Sequence, residues 1–259
     1  MEDEACALYV KTVSGGIIRA LFETLKELLH DVTLVFDDQG MRLTCMDGSR
    51  TALIFLKLDA GSFERYRCTT SINCGVNLNS VFKLLRVASP QDTIVFYKED
   101  AFSNELGITI LNVERNAKTD FKLKLLDVDL EHLAVPPVTF DHVITLPSAH
   151  LQRLCRDMSI LSDTMVIRTD GKHLIMECDG DIASQKTVID IAAACDAGGA
   201  GGNGQKVEGN FSLKFLSLFC RSSPLSQNVE LFFKANYPLV LEFAVSSLGK
   251  LRFALAPKV

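Results

Sequence analysis

The segment Val35-Phe36-Asp37-Asp38-Gln39-Gly40-Met41-Arg42-Leu43-Thr44-Cys45-Met46-Asp47-Gly48 decides the fold, because the chain contains a second version of it. That version is Ile167-Arg168-Thr169-Asp170-Gly171-Lys172-His173-Leu174-Ile175-Met176-Glu177-Cys178-Asp179-Gly180, with Gly40 set against Gly171 at an offset of 131. Each reads as strand, Asp-Gly-type turn, strand. A second pair repeats at an offset of 135: Val76-Asn77-Leu78 through Lys83-Leu84-Leu85-Arg86, and Phe211-Ser212-Leu213 through Leu218-Phe219-Cys220-Arg221. Both offsets are close to half of the 259 residues, so the chain is a duplication.

Working outward, four segments carry helical periodicity. In the first, Ile17, Ile18, Leu21, Phe22, Leu25, Leu28 and Leu29 form one apolar stripe. The others run from about Leu78 to Ala88, Ser148 to Ile160 and Ser212 to Ser222; Ser89-Pro90 and Ser223-Pro224 follow as stop signals. Nearly all the rest reads as short strands, such as 34–36, 52–56, 93–97, 166–168 and 239–245, separated by Asp, Gly and Asn turns. The order helix, strands, helix, strands in each half predicts an α+β fold: two similar domains, each an antiparallel sheet with two helices on one face. The boundaries expected are 1–122 and 138–259, joined by an apolar, acidic linker at 123–137 that ends in Pro136-Pro137.

Composition narrows the function. Apolar residues make up 47% and charged ones 23%, as in ordinary globular proteins. No run approaches the roughly 18 apolar residues of a membrane span, and the acidic start Met1-Glu2-Asp3-Glu4 lacks the basic character of a secretory signal. The expectation is a soluble, unsecreted protein with no membrane partner. Eight cysteines without a C-x-x-C pair read as small buried hydrophobes. The segment Ala197 to Lys206 is Gly-rich but fails the phosphate-loop pattern and reads as a connector.

Charge is unevenly distributed. The four helices carry 8 basic residues (Arg19, Lys26, Lys83, Arg86, Arg153, Arg156, Lys214, Arg221) against 3 acidic ones, in a chain whose net charge is −5. Long cations at i, i+3 and i+7 spacing suit a phosphate backbone read without regard to sequence. There is no Trp, and the four Tyr lie outside the helices, so the stacking platforms of single-strand binders are missing and duplex DNA is the better fit. Helices facing a duplex roughly 20 Å across would have axes on a circle of about 35 to 40 Å, with room for about a dozen. Four helices per chain then imply three chains in a ring closed by edge strands.

These residues resemble the proliferating cell nuclear antigen family, the sliding clamps of eukaryotic and archaeal replication. The likeness runs nearly full length. Its specific parts are Met46-Asp47-Gly48-Ser49, Tyr66-Arg67-Cys68, Gly75-Val76-Asn77-Leu78, the linker Leu123 to Pro136, Cys155-Arg156-Asp157, Pro238-Leu239-Val240 and Leu255-Ala256-Pro257-Lys258-Val259. The resemblance implies a DNA-clamp fold, a homotrimeric ring of six domains around duplex DNA, and a nuclear protein, or a cytoplasmic one in an archaeon or a cytoplasmically replicating virus. It pairs edge strands near 115–125 and 184–191 across subunits, with Phe121, Leu123, Lys186 and Val188 at the interface.

It also implies partners: a DNA polymerase, a clamp loader, and proteins of flap endonuclease and ligase type. These would dock short peptides with an aromatic pair on Met46, Arg50, Leu53, Leu133, Val135, Pro238, Ala254, Ala256 and Pro257. Four departures stand out: Ala20 for a family lysine, Arg50 for a histidine, Ala254 for a tyrosine, and Thr169-Asp170-Gly171 where the family carries a modifiable lysine. Arg50 and Ala254 bear on partner choice.

The competing readings are a non-replicative, checkpoint-type clamp subunit, a monomeric or dimeric viral processivity factor, and a hydrolytic enzyme using Asp37/Asp38, Asp127/Asp129 or His142/Ser148. The enzyme reading has no supporting motif such as G-x-S-x-G, H-E-x-x-H or a P-loop, and five scattered histidines suggest no metal cluster. No catalytic residue, metal or cofactor is expected.

Overall fold

A computed structural model describes residues 6–112, 114–128, 133, 138–170, 172–191 and 206–258. The first half runs β1 (Leu8–Thr12), α1 (Gly15–Leu25), β2 (Asp31–Asp37), β3 (Gly40–Met46), β4 (Ala52–Asp59), β5 (Arg65–Cys68), β6 (Ile72–Asn77), α2 (Leu78–Leu85), β7 (Thr93–Lys98), β8 (Glu105–Asn112) and β9 (Ala117–Lys124). The second half runs β10 (His142–Pro147), α3 (Ser148–Met158), β11 (Thr164–Thr169), β12 (His173–Asp179), β13 (Ser184–Asp190), β14 (Val207–Ser212), α4 (Leu213–Phe219), β15 (Asn228–Phe233), β16 (Leu239–Val245) and β17 (Gly249–Leu255). Apart from the extra strand β5, one half repeats the other.

The repeat differs in register from the glycine-anchored reading. Gly15, Asp31 and Gly40 open α1, β2 and β3; Ser148, Thr164 and His173 open their counterparts, a shift of 133 rather than 131. The hairpins explain the slip. Asp37 pairs directly with Gly40 around a two-residue turn, whereas Thr169 pairs with Leu174 around a four-residue one. A carboxylate closes each turn: Asp37 accepts from the N–H of Gln39 (2.9 Å) and Gly40 (3.2 Å), and Asp170 from those of Lys172 (2.8 Å) and His173 (2.7 Å). Such local bonds are why Asp favours turns. Those from His173 and Lys172 hold the Asp170 carboxyl down to about 2. Gly40 has φ of +136°, and a Cβ there would meet the Leu58 carbonyl, so glycine is required.

The chain divides into two compact units: residues 1–45, 55–133 and 245–251, and residues 46–54, 134–244 and 252–259. The first unit holds a sheet of order β5-β1-β7-β8-β9 and the run β6-β2-β3-β4-β17. In it, α1 packs on α2, burying Ile18, Leu21, Phe22 and Leu25 with Val81 and Leu85. Each such side chain is worth about 1.5–3 kcal/mol. Phe22 meets Phe96 of β7 at 6.3 Å between ring centroids. The periodic stripe runs on to Leu29, but α1 stops at Leu25. Beyond it Glu27 and Leu28 bond back three residues, to Thr24 and Leu25, in a tightened last turn. Asn77 caps α2, accepting from the Ser80 N–H at 3.0 Å.

The second unit holds the sheet β13-β12-β11-β14 and the run β10-β15-β16-β17-β4. Here α3 packs on α4 and on the 3-10 turn Cys220–Leu225, which contains Pro224; the expected fourth helix therefore ends in a different geometry. Phe219 stacks on Phe253 at 4.4 Å, with Phe243 edge-on to Phe253 at 6.0 Å. Cys155 and Cys220 are buried with sulfurs 3.9 Å apart; Cys195 lies outside the described residues. Among the described residues no helix is long and apolar enough to cross a membrane.

Candidate functional site

Two helical cations of the first unit turn out to be engaged. Arg19 is half-buried and donates from Nη1 to the Ala88 carbonyl at 2.8 Å. The Lys26 side chain is 17% exposed, pairs with Glu27, and sits 4.9 Å from the Phe82 ring. Both therefore lie on the flank of α1 that meets α2 and its last turn. Lys83 on α2 and Arg86 at its C-cap are exposed.

On α3 the side chains of Arg153 and Arg156 are 74% and 72% exposed, and each lies loosely against Asp157, at 3.7 and 3.8 Å. Exposed pairs of this length contribute little to stability, so both guanidiniums remain available to an anion. His150, one turn before Arg153, is exposed on the same helix; sequence reading passed over it although its i−3 spacing was visible. Lys214 on α4 and Arg221 in the 3-10 turn are exposed. The two meet at one cavity of about 380 Å³, with Ser159, Ser162, Asp163 and Ser217. The Ser217 hydroxyl is buried and, among the described residues, has no hydrogen-bond partner. The helical spacing of Lys214, Ser217 and Arg221 marked three of these groups; the serines and Asp163 come from the turn after α3, which no periodicity reveals.

The two edge strands expected from sequence stand at sheet ends. β9 is last in its sheet, β13 is last in its own, and neither contains a buried residue. Phe121 and Leu123 are half-buried, Lys186 is exposed, and Val188 is 52% exposed. Lys186 Nζ lies 2.7 Å from Glu177, which also pairs with Arg168, whose other nitrogen is 3.9 Å from Glu208. Charges thus alternate across β14, β11, β12 and β13.

Among the proposed peptide-docking residues, Met46, Leu53, Pro238, Ala254 and Ala256 are half-buried, while Arg50 and Pro257 are exposed; all seven belong to the second unit. Leu133 is half-buried and belongs to the first; Val135 lies outside the described residues. The loop bearing Arg50 closes on Asp47, which is 7% exposed. Its carboxylate accepts from the N–H groups of Ser49 (2.8 Å), Thr51 (2.7 Å) and Ala52 (2.6 Å), and from the Ser49 hydroxyl. Burial alone would raise this carboxyl, but the bonds from Ser49, Ala52 and Thr51 together hold it below its ordinary value. Arg50 takes φ of +56°, and the Ala256 N–H donates to the Thr51 carbonyl at 3.0 Å, joining the C-terminal stretch to this loop. Pro238 and Pro257 line a cavity of about 100 Å³ with Phe211, Phe233 and Tyr237. Phe140 packs on Phe232 (5.1 Å) and on Tyr237 (5.9 Å). Tyr237 was missed in sequence, where a lone aromatic before a proline carries no pattern.

One member of the acid–base pairs, Asp37, has structural employment. Asp37 closes the β2–β3 turn and pairs with Arg42; Asp127 is exposed, and Asp129 lies outside the described residues. His142 opens β10 and Ser148 follows the strand's far end as the first residue of α3, about 20 Å away. Among the described residues no three His, Cys, Asp or Glu side chains gather as metal ligands.

Two family models match nearly the whole chain: proliferating cell nuclear antigen, N-terminal domain, over residues 7–132, and the C-terminal domain of the same antigen over residues 134–258. A relative from Paramecium bursaria Chlorella virus 1, described as probable DNA polymerase sliding clamp 1, is 40% identical over 268 aligned positions covering 99% of each chain.

Proposed function

The chain belongs to the proliferating cell nuclear antigen family, and from that premise we propose that it is a sliding clamp, a processivity factor for a replicative DNA polymerase. In this reading three copies close a ring, with 1–122 and 138–259 as clamp domains and 123–137 as the connecting linker. The protein is a scaffold without catalytic chemistry of its own. It acts in the nucleus, or in the cytoplasm if replication occurs there, and serves repair as well as replication.

The observation that carries the reading is the set of exposed cations on the helices and the turns that end them, Lys83, Arg86, Arg153, Arg156, Lys214 and Arg221, in a chain of net charge −5. An acidic body with cationic helices centres a duplex by its field and holds it without sequence preference. Arg19 and Lys26 support the helix pair and add to that field at second hand. Polymerase, loader, flap endonuclease and ligase type partners dock aromatic-pair peptides on the second-unit surface around Met46, Leu53, Pro238, Ala254, Ala256 and Pro257, together with Leu133 and Val135.

The test combines mass and activity. Light scattering should give three times the 28.5 kDa chain mass, and the protein should raise polymerase processivity on primed circular DNA. A monomer or dimer at micromolar concentration would instead favour the viral-factor reading.

A further inference from the structure

The sulfurs of Cys155 and Cys220 lie 3.9 Å apart, with the Cys220 thiol donating to Cys155. Cys155 stands on the buried face of α3 and Cys220 opens the 3-10 turn Cys220–Leu225, so two thiols in contact are 65 positions apart in sequence. Both are buried, at 0% and 1% exposure. Side chains reach across the seam between helix and turn. Gln152 donates from Nε2 to the Cys220 carbonyl at 3.2 Å, and Ser223 donates from Oγ to the Ser148 carbonyl at 3.5 Å.

Two features set this pair apart from ordinary buried packing. Ser148, which opens α3, and Ser222, in the turn, are buried, and among the described residues neither hydroxyl has a hydrogen-bond partner. Buried hydroxyls without a protein partner are satisfied by water, so the seam admits a small polar molecule while excluding a bulky one. The pair is also asymmetric. Its hydrogen bond to Cys155, together with burial, pushes the Cys220 thiol well above its ordinary value. Cys220 therefore keeps its proton, and the first attack on an oxidant falls to Cys155, whose sulfur accepts that bond.

We propose that Cys155 and Cys220 form a peroxide-sensitive thiol pair, and that their oxidation to a disulfide staples α3 to the turn after α4. Cys155 Sγ attacks one oxygen of hydrogen peroxide; the O–O bond breaks, Cys155 becomes a sulfenic acid, and the other oxygen leaves as water with the thiol proton. Cys220 Sγ then attacks the sulfenic sulfur; the S–O bond breaks, the S–S bond forms, and a second water carries off the Cys220 proton. Two electrons have passed from the thiols to the peroxide, and a dithiol reductant returns them. Because the resolving thiol is already in contact, this second step outruns further oxidation of Cys155. Closing from 3.9 Å to a disulfide's roughly 2.05 Å takes about 1.9 Å, within reach of rotation of two short side chains. The residues that follow the pair, Arg156 and Arg221, are exposed, so the bond fixes the helix and the turn that carry these cations. The inference goes beyond the clamp reading and does not depend on it.

Thiol counting and peptide mapping on the full wild-type chain test it. The protein is treated with a small molar excess of hydrogen peroxide, quenched with catalase, denatured and alkylated. Of the eight cysteines, the number alkylated should fall by two, a proteolytic digest should yield a linked peptide pair containing Cys155 and Cys220, and dithiothreitol should restore the full count. The oxidised chain should melt higher than the reduced one, by roughly 5 °C or more, since the bond constrains a long loop of the unfolded chain. In Cys220→Ala, which lacks the resolving thiol, dimedone should trap a sulfenic acid at Cys155, and in Cys155→Ala peroxide should give no linked pair. The linked peptide and the melting shift are read on wild type, so a variant that folds poorly leaves the test intact. An unchanged thiol count, a first link that joins any other cysteines, or an oxidised chain that melts no higher than the reduced one would overturn the proposal.

Discussion

The Arg19 guanidinium donates to the Ala88 carbonyl at 2.8 Å, tying the middle of α1 to the turn that follows α2. This bond separates the helical cations into two groups with different expected phenotypes. Arg19→Ala should lower stability by about 1–2 kcal/mol, as for loss of a charged hydrogen bond, measured by urea denaturation. It should leave most of the duplex affinity in place.

Arg153 and Arg156 belong to the other group. Reversing both to Glu should leave the melting temperature within a few degrees of wild type, because their ion pairs are long and exposed. Polymerase stimulation on primed circular DNA should nevertheless be lost, and the salt dependence of duplex binding should flatten. Unchanged stimulation would remove α3 from the DNA-facing surface.

The third prediction concerns pH. Asp47 and Asp170 both have carboxyls held below the ordinary value, Asp170 at about 2. A depressed native pKa contributes stability that is fully present above the unfolded value of about 3.9 and is lost as pH falls through the native one. Asp47→Ala, which leaves three loop N–H groups without their acceptor, should cost about 1–3 kcal/mol at pH 7. The gap between variant and wild type should close as the pH drops below about 4. A gap that stays constant from pH 7 to pH 2.5 would mean the carboxylate does not organise the loop.

Fourth, Phe121 lies half-buried in the middle of the edge strand β9. If β9 joins successive copies, Phe121→Ala should shift the light-scattering mass toward the single chain at micromolar concentration with the fold retained. An unshifted mass would place the joint elsewhere.

Fifth, calorimetric titration with a short peptide bearing an aromatic pair tests the docking surface. Leu133→Asp should abolish measurable binding, since burial of one peptide aromatic is worth several kcal/mol, on the order of 4, before ordering costs. Ala254→Tyr should change affinity severalfold by narrowing the surface. Wild-type affinity in Leu133→Asp would move the pocket away from the linker.

Residues that act through their own segment were legible before any coordinates. The duplication, the strand-rich α+β class, the stripe Ile18, Leu21, Phe22 and Leu25, and the strands β2, β4, β7, β11 and β16 all follow from periods of two and 3.6 within one stretch of chain. Tertiary structure decided what depends on a neighbour. Arg19 and Lys26 have the spacing of free surface cations, yet Phe82 on the adjoining helix and Ala88 in the turn after it engage them. Gly40 and Gly171 look equivalent, yet turns of different length shift the repeat to 133. Asp47 reads as one more loop acid until Thr51 and Ala52 fold back onto it. Periodicity records which way a side chain points from its own backbone; what it meets there depends on residues brought close only when the sheets and helix pairs assemble.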